Sequence, residues 1–152
     1  MPVRRPVLAA CLTVAAALAP LAAPPTPALA ASPIKLGRIY YDSPGSDTGS
    51  NTSLDAEWFT VRNTGTRTVN LSGWTVRDAS NHVYRFGTFY VKAGYSVRVH
   101  TGKGTNTSAN RYWGRGWYVW NNTGDKATMR NAAGTFIDSC AWYSKGYGYT
   151  NC

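Results

Sequence analysis

The sequence has 152 residues, of which 16 are Lys or Arg and 7 are Asp or Glu, giving a net charge of +9 at pH 7. This length predicts one domain plus a processed segment and argues against a multidomain protein. The positive charge favours an acidic partner, such as nucleic acid, an anionic wall polymer or a membrane surface, although the solubility of a basic secreted protein explains it equally well.

Residues 1–30 have the three parts of a secretory signal peptide. Arg4 and Arg5 form a charged region, residues 7–23 are mostly Ala, Leu and Val, and Ala28-Leu29-Ala30 is a typical cleavage site. Prolines near the end of the apolar stretch interrupt it before it reaches the ~20 residues that a membrane span needs. We therefore expect export, cleavage near Ala30, a secreted or extracellular location and no transmembrane span in the mature form.

Two other export signals are less well supported. Leu8-Ala9-Ala10-Cys11 resembles a lipoprotein box, but it lies too close to the N-terminus to leave an apolar region of about 7–15 residues. Arg4-Arg5 resembles a twin-arginine signal, but an ordinary signal peptide also begins with two basic residues. Without these two arginines, 14 basic residues face 7 acidic ones, a net charge of +7.

After this segment, apolar and polar residues alternate in short runs separated by turns rich in Gly, Asn, Asp and Ser. No run has the length and 3.6-residue spacing of a helix. Short strands at such spacing predict an all-β sandwich or barrel. The predicted strands cover residues 34–42, 57–63, 74–77, 82–86, 89–91, 95–100, 127–130 and 136–142.

Between the first two strands, residues 43–53 form a polar segment rich in Ser, Asn, Gly and Asp. Asp42, Asp47 and Asp55 flank or lie in it, and carboxylates near a loop are calcium ligands in other proteins. Their spacing matches no known calcium loop. We therefore predict a solvated loop and no metal site.

Trp74 is predicted to anchor the core. Alternation places Trp74 and Val76 on one face of their strand, and a buried Trp removes roughly 150–250 Å² from water. The same alternation in the other strands places several arginines on the outside. These are Arg77, Arg85, Arg98 and Arg130.

Residues 111–120 interleave basic and aromatic side chains. Basic residues between aromatics suit stacking on bases with neutralisation of phosphates, and flat aromatics also suit the apolar faces of sugars. Gly114 and Gly116 give the segment flexibility. Trp113 and Trp120 are expected in the core. The candidate ligand-binding residues are Lys103, Arg111, Tyr112, Arg115, Trp117 and Tyr118.

Cys140 and Cys152 are expected to form a disulfide, since they remain as an even pair in an oxidising compartment. The bridge would close a loop of about 12 residues and contribute roughly 3 kcal/mol. It would pin a C-terminal tail, residues 143–152, that otherwise has little to hold it. Two cysteines without a nearby His lack the ligands of a zinc site.

Short motifs follow one another in a fixed order through residues 34–142. They are Glu57-Trp58-Phe59 with Val61 and Asn63-Thr64-Gly65; Leu71-Ser72-Gly73-Trp74 with Val76 and Asp78; Tyr84 with Phe86; Lys92-Ala93-Gly94; Val97 with Val99-His100-Thr101-Gly102; Trp113-Gly114; Trp120-Asn121-Asn122 with Gly124-Asp125 and Ala127; and Gly134 with Ile137-Asp138. In this order they resemble the lamin-tail domain family, and the secreted bacterial form is the closer likeness.

The resemblance implies a small immunoglobulin-like antiparallel β-sandwich with Greek-key connections and no catalytic residues of its own. Members of such a family act as interaction modules, with nucleic acid, protein or envelope tethering among their roles. The tail and the two cysteines lie beyond the matched motifs.

Catalytic motifs are not found in the sequence. Glu57 and His100 would be the acid and base of a small secreted nuclease, but both lie in the matched motifs, which favours structural roles. We expect a monomeric, secreted, non-enzymatic binding module without cofactor, for an anionic polymer or a saccharide. Docking on an envelope protein is the alternative, and a small secreted hydrolase is the less favoured one.

Overall fold

Strands make up almost all of the ordered elements in the computed structural model, which describes residues 1–2 and 31–152. The predicted signal peptide, with Cys11, lies outside the described residues apart from its first two. The elements are β1 (Ile34–Tyr40), α1 (Asn51–Ala56), β2 (Trp58–Asn63), β3 (Val69–Asn70), β4 (Thr75–Arg77), β5 (Val83–Arg85), β6 (Tyr90–Val91), β7 (Ser96–His100), β8 (Asn110–Tyr112), β9 (Asp125–Arg130), β10 (Phe136–Trp142) and β11 (Tyr149–Asn151).

Two main sheets face each other. One has five strands in the order β11-β1-β2-β7-β8, and the other has four in the order β10-β9-β4-β5. Strands β3 and β6 form a separate short ribbon. The predicted antiparallel immunoglobulin-like β-sandwich is confirmed, with one exception in its ladders: β8, which was not predicted, pairs with β7 in parallel.

The core lies between the inward faces of the two sheets, as period-2 alternation predicts. Phe59 is fully buried at its centre. Its ring meets those of Tyr84 and Trp120 edge to face, with centroids 5.9 and 5.8 Å apart. Such aromatic pairs contribute roughly 0.5–1.5 kcal/mol each beyond their area burial.

Trp74 does not occupy the centre of the core. It precedes β4, it is only partly buried, and it packs against the margin of the core. A tight turn explains its position: Gly73 has a φ of +79°, and the Trp74 N–H donates to the Leu71 carbonyl oxygen at 2.9 Å. Val76, two residues further on, is fully buried as predicted.

A short helix, α1, lies where a loop was predicted, and the absence of any helix was therefore a wrong expectation. The Ser50 side chain caps it by accepting the Ser53 N–H at 3.3 Å, and Leu54 is its one buried residue. Ser50 is a favourable capping residue. Six residues are too few for helical periodicity to be visible in the sequence.

The C-terminal segment is held by more than a disulfide. The predicted bond between Cys140 and Cys152 is present, with Cα atoms 5.5 Å apart. In addition, β11 pairs with β1, aligning Tyr149 with Tyr40. Because β10 carries Cys140 in the four-stranded sheet and Cys152 follows β11 in the five-stranded sheet, the bond links the two layers. The expectation that little else holds the tail was wrong.

No helix in the described part of the chain has the length and apolar character required to cross a membrane.

Candidate functional site

The six predicted ligand-binding residues do not form one site. Arg111 and Tyr112 are neighbours on β8, and adjacent strand residues point to opposite faces. The Arg111 guanidinium lies 4.2 Å from the centroid of the Phe89 ring, on the side of the core. Tyr112 stacks on His100 on the outer face, with ring centroids 4.9 Å apart.

Lys103 precedes β8 and Arg115 follows it, and each is held by hydrogen bonds of its backbone. The Lys103 N–H donates to the Asn51 side chain at 2.7 Å, and the Asn51 amide donates to the Lys103 carbonyl oxygen at 2.8 Å. The Arg115 N–H donates to the Thr101 carbonyl oxygen at 2.9 Å. The Lys103 side chain is exposed and that of Arg115 is half-buried, and neither residue lines the cleft at which Trp117 lies.

Trp117 and Tyr118 lie at a separate cleft of about 440 Å³. Trp117 is 62% exposed, and its ring lies against Gly49. The Tyr118 hydroxyl contacts that of Ser53 and accepts the Gly49 N–H at 3.3 Å. Asp47, His82, Asn121 and Asn122 line the rest of this cleft. The predicted core residue Trp120 is buried, whereas Trp113 is only partly buried.

Glu57 and His100 are both engaged in holding the fold. Glu57 is fully buried, and its carboxylate accepts the Thr101 hydroxyl at 2.6 Å and the Val119 and Trp120 N–H groups at 2.8 and 3.2 Å. Burial raises the pKa of Glu57 to about 7, against the opposing effect of these hydrogen bonds. His100 Nδ1 donates to the Asp55 carbonyl oxygen at 2.6 Å, and its Nε2 lies 3.0 Å from the Asn110 side-chain oxygen.

A row of rings crosses the outer face of the five-stranded sheet. Strand register aligns one ring from each strand, in the order Tyr149, Tyr40, Trp58, His100 and Tyr112. Tyr40 stacks on Trp58 at 5.5 Å and on Tyr149 at 5.8 Å, centroid to centroid. All five rings, which we call the aromatic row, are half-buried. Only Tyr112 was a predicted site residue.

Arginines lie beside the aromatic row. The Arg98 guanidinium is 4.1 Å from the centroid of Trp58, and that of Arg38 is 4.4 Å from the centroid of Tyr149. Both distances are within the ~6 Å of cation–π contacts. Arg38 Nε also donates to the Asn151 side-chain oxygen at 2.9 Å. Basic and aromatic groups therefore alternate here in space, although they are far apart in sequence.

The predicted outward arginines divide between the two sheets. Arg77, Arg85 and Arg130 lie on the four-stranded sheet, where Arg85 and Arg130 both pair with Thr75, one on each side. Arg98 lies on the five-stranded sheet. Arg77, Arg85 and Arg98 are exposed and Arg130 is half-buried. The shared sheet face that the sequence suggested is thus formed by three of the four.

Most carboxylates are at least partly buried, and several of them hold loops together. Asp125 accepts the Ala79, Asn121 and Lys126 N–H groups, and Asp138 accepts those of Leu36 and Ser139. Asp47 is the one carboxylate that is exposed in the part of the chain that the structure describes. The buried ones are Glu57, Asp78 and Asp125, and the half-buried ones are Asp42, Asp55 and Asp138.

The cations have the opposite distribution. Across the described residues, Lys145 is the only Lys or Arg in an ion pair, with Asp42 at 3.2 Å. Asp42 also accepts the Asn122 amide at 2.7 Å. In the same part of the chain no three His, Cys, Asp or Glu side chains are grouped so that they could hold a metal ion. The exposed cations are Arg38, Arg62, Arg67, Arg77, Arg85, Lys92, Arg98, Lys103, Lys126 and Lys145.

Comparison with known proteins agrees with this architecture. A search of curated sequences finds no match to the chain. The model of the Lamin Tail Domain family matches residues 27–144, which includes every strand from β1 to β10. The chain therefore belongs to the lamin tail domain family.

Proposed function

We propose that this protein is an exported interaction module that binds linear polyanions, with phosphodiester chains such as nucleic acid or teichoic-type wall polymer as its ligand class. The observation that carries this proposal is the separation of charge. Most carboxylates accept backbone N–H groups inside the domain, while Lys and Arg side chains without a carboxylate partner remain outside.

The consequence of this separation is an excess of positive charge among the exposed side chains. Surface ion pairs would cancel it locally, but Lys145 with Asp42 is the only Lys or Arg pair among residues 31–152. Exposed cations attract a polyanion over a Debye length of about 8–10 Å and release its counterions on contact. The family supports a non-catalytic interaction domain, and a disulfide that links the two sheets suits an oxidising compartment.

A saccharide is the second candidate ligand, and the cleft beside Trp117 favours it. An exposed indole next to Asn121, Asn122 and Asp47 combines a flat apolar face with hydrogen-bonding groups. Neutral glycans would bind there without strong dependence on salt.

The test is a titration of the purified protein with double-stranded DNA, teichoic-type polymer, polyphosphate and a neutral glycan. We expect the polyanions to bind at about 50 mM salt and to bind at least tenfold more weakly at about 200 mM. If only the neutral glycan binds, if its binding does not depend on salt, and if Trp117→Ala abolishes it, the ligand is a saccharide and the polyanion proposal is wrong. Absence of binding to every polyanion at low salt would refute it.

A further inference from the structure

The aromatic row is placed where a ligand can reach it. Its rings are on the face of the five-stranded sheet opposite the core, and Tyr147, which is 88% exposed, extends it beyond Tyr149 with centroids 6.4 Å apart. We propose that this face binds single-stranded nucleic acid, with bases stacking on the row and phosphates contacting the adjacent cations. This inference rests on the proposed function and assigns it a surface and a ligand.

The geometry of the row suits bases. Neighbouring rings are offset rather than superimposed, because centroids 5.5 and 5.8 Å apart at interplanar angles of 27° and 20° exceed the spacing of directly stacked rings. Part of each ring face is therefore uncovered by the next ring. Stacking on aromatic side chains is tolerant of sequence, since every base has a π-face.

The outward charged side chains of β1, β2 and β7 have one sign. The buried residues of β1, β2 and β7, together with a β-bulge in the middle of β1, place Lys35, Arg38, Arg62 and Arg98 on the outside. The outward positions of the same strands include no carboxylate. A neutral glycan gains nothing from four cations, and a wall polymer without flat rings gains nothing from the row. A single strand uses both.

The row also has a suitable length. Five strands at a spacing of about 4.8 Å place its ends roughly 19 Å apart, which corresponds to about six nucleotides at ~3.4 Å each. Duplex DNA would present its phosphates to the cations but would keep its bases paired within the helix. We therefore expect preference for single strands over duplex of the same sequence.

Cross-strand stacking of these rings also stabilises the sheet without any ligand. The experiment must therefore measure ligand binding and not only the stability of the fold. The purified protein is titrated with oligothymidylate of about ten nucleotides, the matched duplex and polyphosphate, while tryptophan fluorescence is recorded. We expect oligothymidylate to bind most tightly, to quench fluorescence and to show a log–log salt slope near −3, since four cations each contribute about −0.7.

Variants locate the binding face. Trp58→Thr should weaken oligothymidylate binding about 5- to 100-fold and remove most of the quenching, because the loss of one stacked base has that effect. Trp117→Thr, which removes an exposed indole elsewhere, is the matched control and should change binding less than twofold. If Trp58→Thr fails to fold, Tyr149→Thr on the edge strand β11 repeats the test at a position far from the centre of the core.

The outcomes separate the two proposals. Equal binding of polyphosphate and oligothymidylate, with Trp58→Thr and Tyr149→Thr silent, would overturn the assignment of the aromatic row and leave polyanion binding standing. Tighter binding of the duplex, or a loss on Trp117→Thr alone, would also overturn it. Absence of binding to all three polyanions would overturn both proposals.

Discussion

The two outer faces of the sandwich carry similar charge but use their arginines differently. On the four-stranded sheet, Arg85 donates to the Gly73 carbonyl oxygen and Arg130 to that of Gly134, both at 2.9 Å. On the five-stranded sheet, the guanidinium groups of Arg38 and Arg98 lie over aromatic rings. The arginines of the four-stranded sheet hold turns together, whereas those of the five-stranded sheet lie beside the aromatic row.

This difference shows that net charge alone does not define a binding face. A guanidinium that donates to a turn carbonyl has fewer N–H groups left for a phosphate, and moving it has a cost in the fold. A guanidinium that is stacked on a ring keeps its in-plane donors available. The comparison therefore predicts unequal responses to equal substitutions on the two faces.

The largest effect should follow removal of the disulfide that joins the faces. Cys140→Ser with Cys152→Ser should lower the free energy of unfolding by about 3–5 kcal/mol, because loop closure alone contributes about 3 and β11 loses its anchor. Urea denaturation with and without a reductant measures this loss of stability.

The affinity for single-stranded nucleic acid should also fall as Tyr149 becomes free, whereas the affinity for polyphosphate should change little. An unfolding free energy within 1 kcal/mol of the wild type would show that β11 pairing suffices.

A pH dependence should arise from Glu57, next to β2 of the five-stranded sheet. Burial raises its pKa from 4.5 to about 7. Because the folded-state value is the higher one, its stabilising contribution is complete below pH 4.5 and is lost as the pH rises through 7. The effect approaches about 3 kcal/mol as an upper bound.

Denaturant titrations between pH 4.5 and 8 measure this change, and Glu57→Gln is the control. The substitution removes the titrating group, so the free energy of unfolding of the variant should not change with pH across that interval. It also leaves the Trp120 N–H without a carboxylate partner. An identical decline in both proteins would assign the pH dependence to other groups.

Much of the sandwich is visible in the sequence because its signals are local. Alternation places Val61, Val76 and Val99 inside, and turns with Gly and Asn separate the strands. The centre of the core was misassigned because side-chain size favours Trp74, whereas a turn at Gly73 moves that residue to the margin. Short elements such as α1 and β8 leave too few residues for a period to be recognised.

The candidate site was less visible, for a physical reason. A basic-aromatic segment is compact in sequence, but β8 alternation separates Arg111 from Tyr112, and the chain then turns at Gly114, where φ is +76°. The aromatic row has the opposite property, since Tyr40 and Tyr149 meet only through strand register. Register is set by non-local pairing, which the sequence pattern does not reveal. Alternation does place Trp58 opposite the core, whereas Tyr40 reaches the same face only through a β-bulge in β1.

Equal charge substitutions test the difference between the faces directly. Arg98→Gln should weaken oligothymidylate binding about 5- to 10-fold, because it removes a phosphate contact and a neighbour of Trp58. Arg77→Gln, an exposed arginine on the four-stranded sheet, removes the same charge and should cost less than about twofold. Titrations of both variants with oligothymidylate at several salt concentrations measure this difference in affinity. Equal losses would mean that the whole surface, and not one face, attracts the polymer.

The smallest effect is expected at the end of the aromatic row. In Gly104→Ala the new Cβ would clash with the Tyr112 ring, so this ring must shift from its present position beside His100. The backbone of Gly104 does not require glycine, so the fold should lose less than about 1 kcal/mol. NMR signals of the His100 ring should shift as the stacked tyrosine leaves, and oligothymidylate binding should weaken about twofold. Gly87→Ala, at a site with open space around it, is the control. If the His100 signals move but the affinity for oligothymidylate does not change, the nucleic acid does not contact the part of the aromatic row on β8.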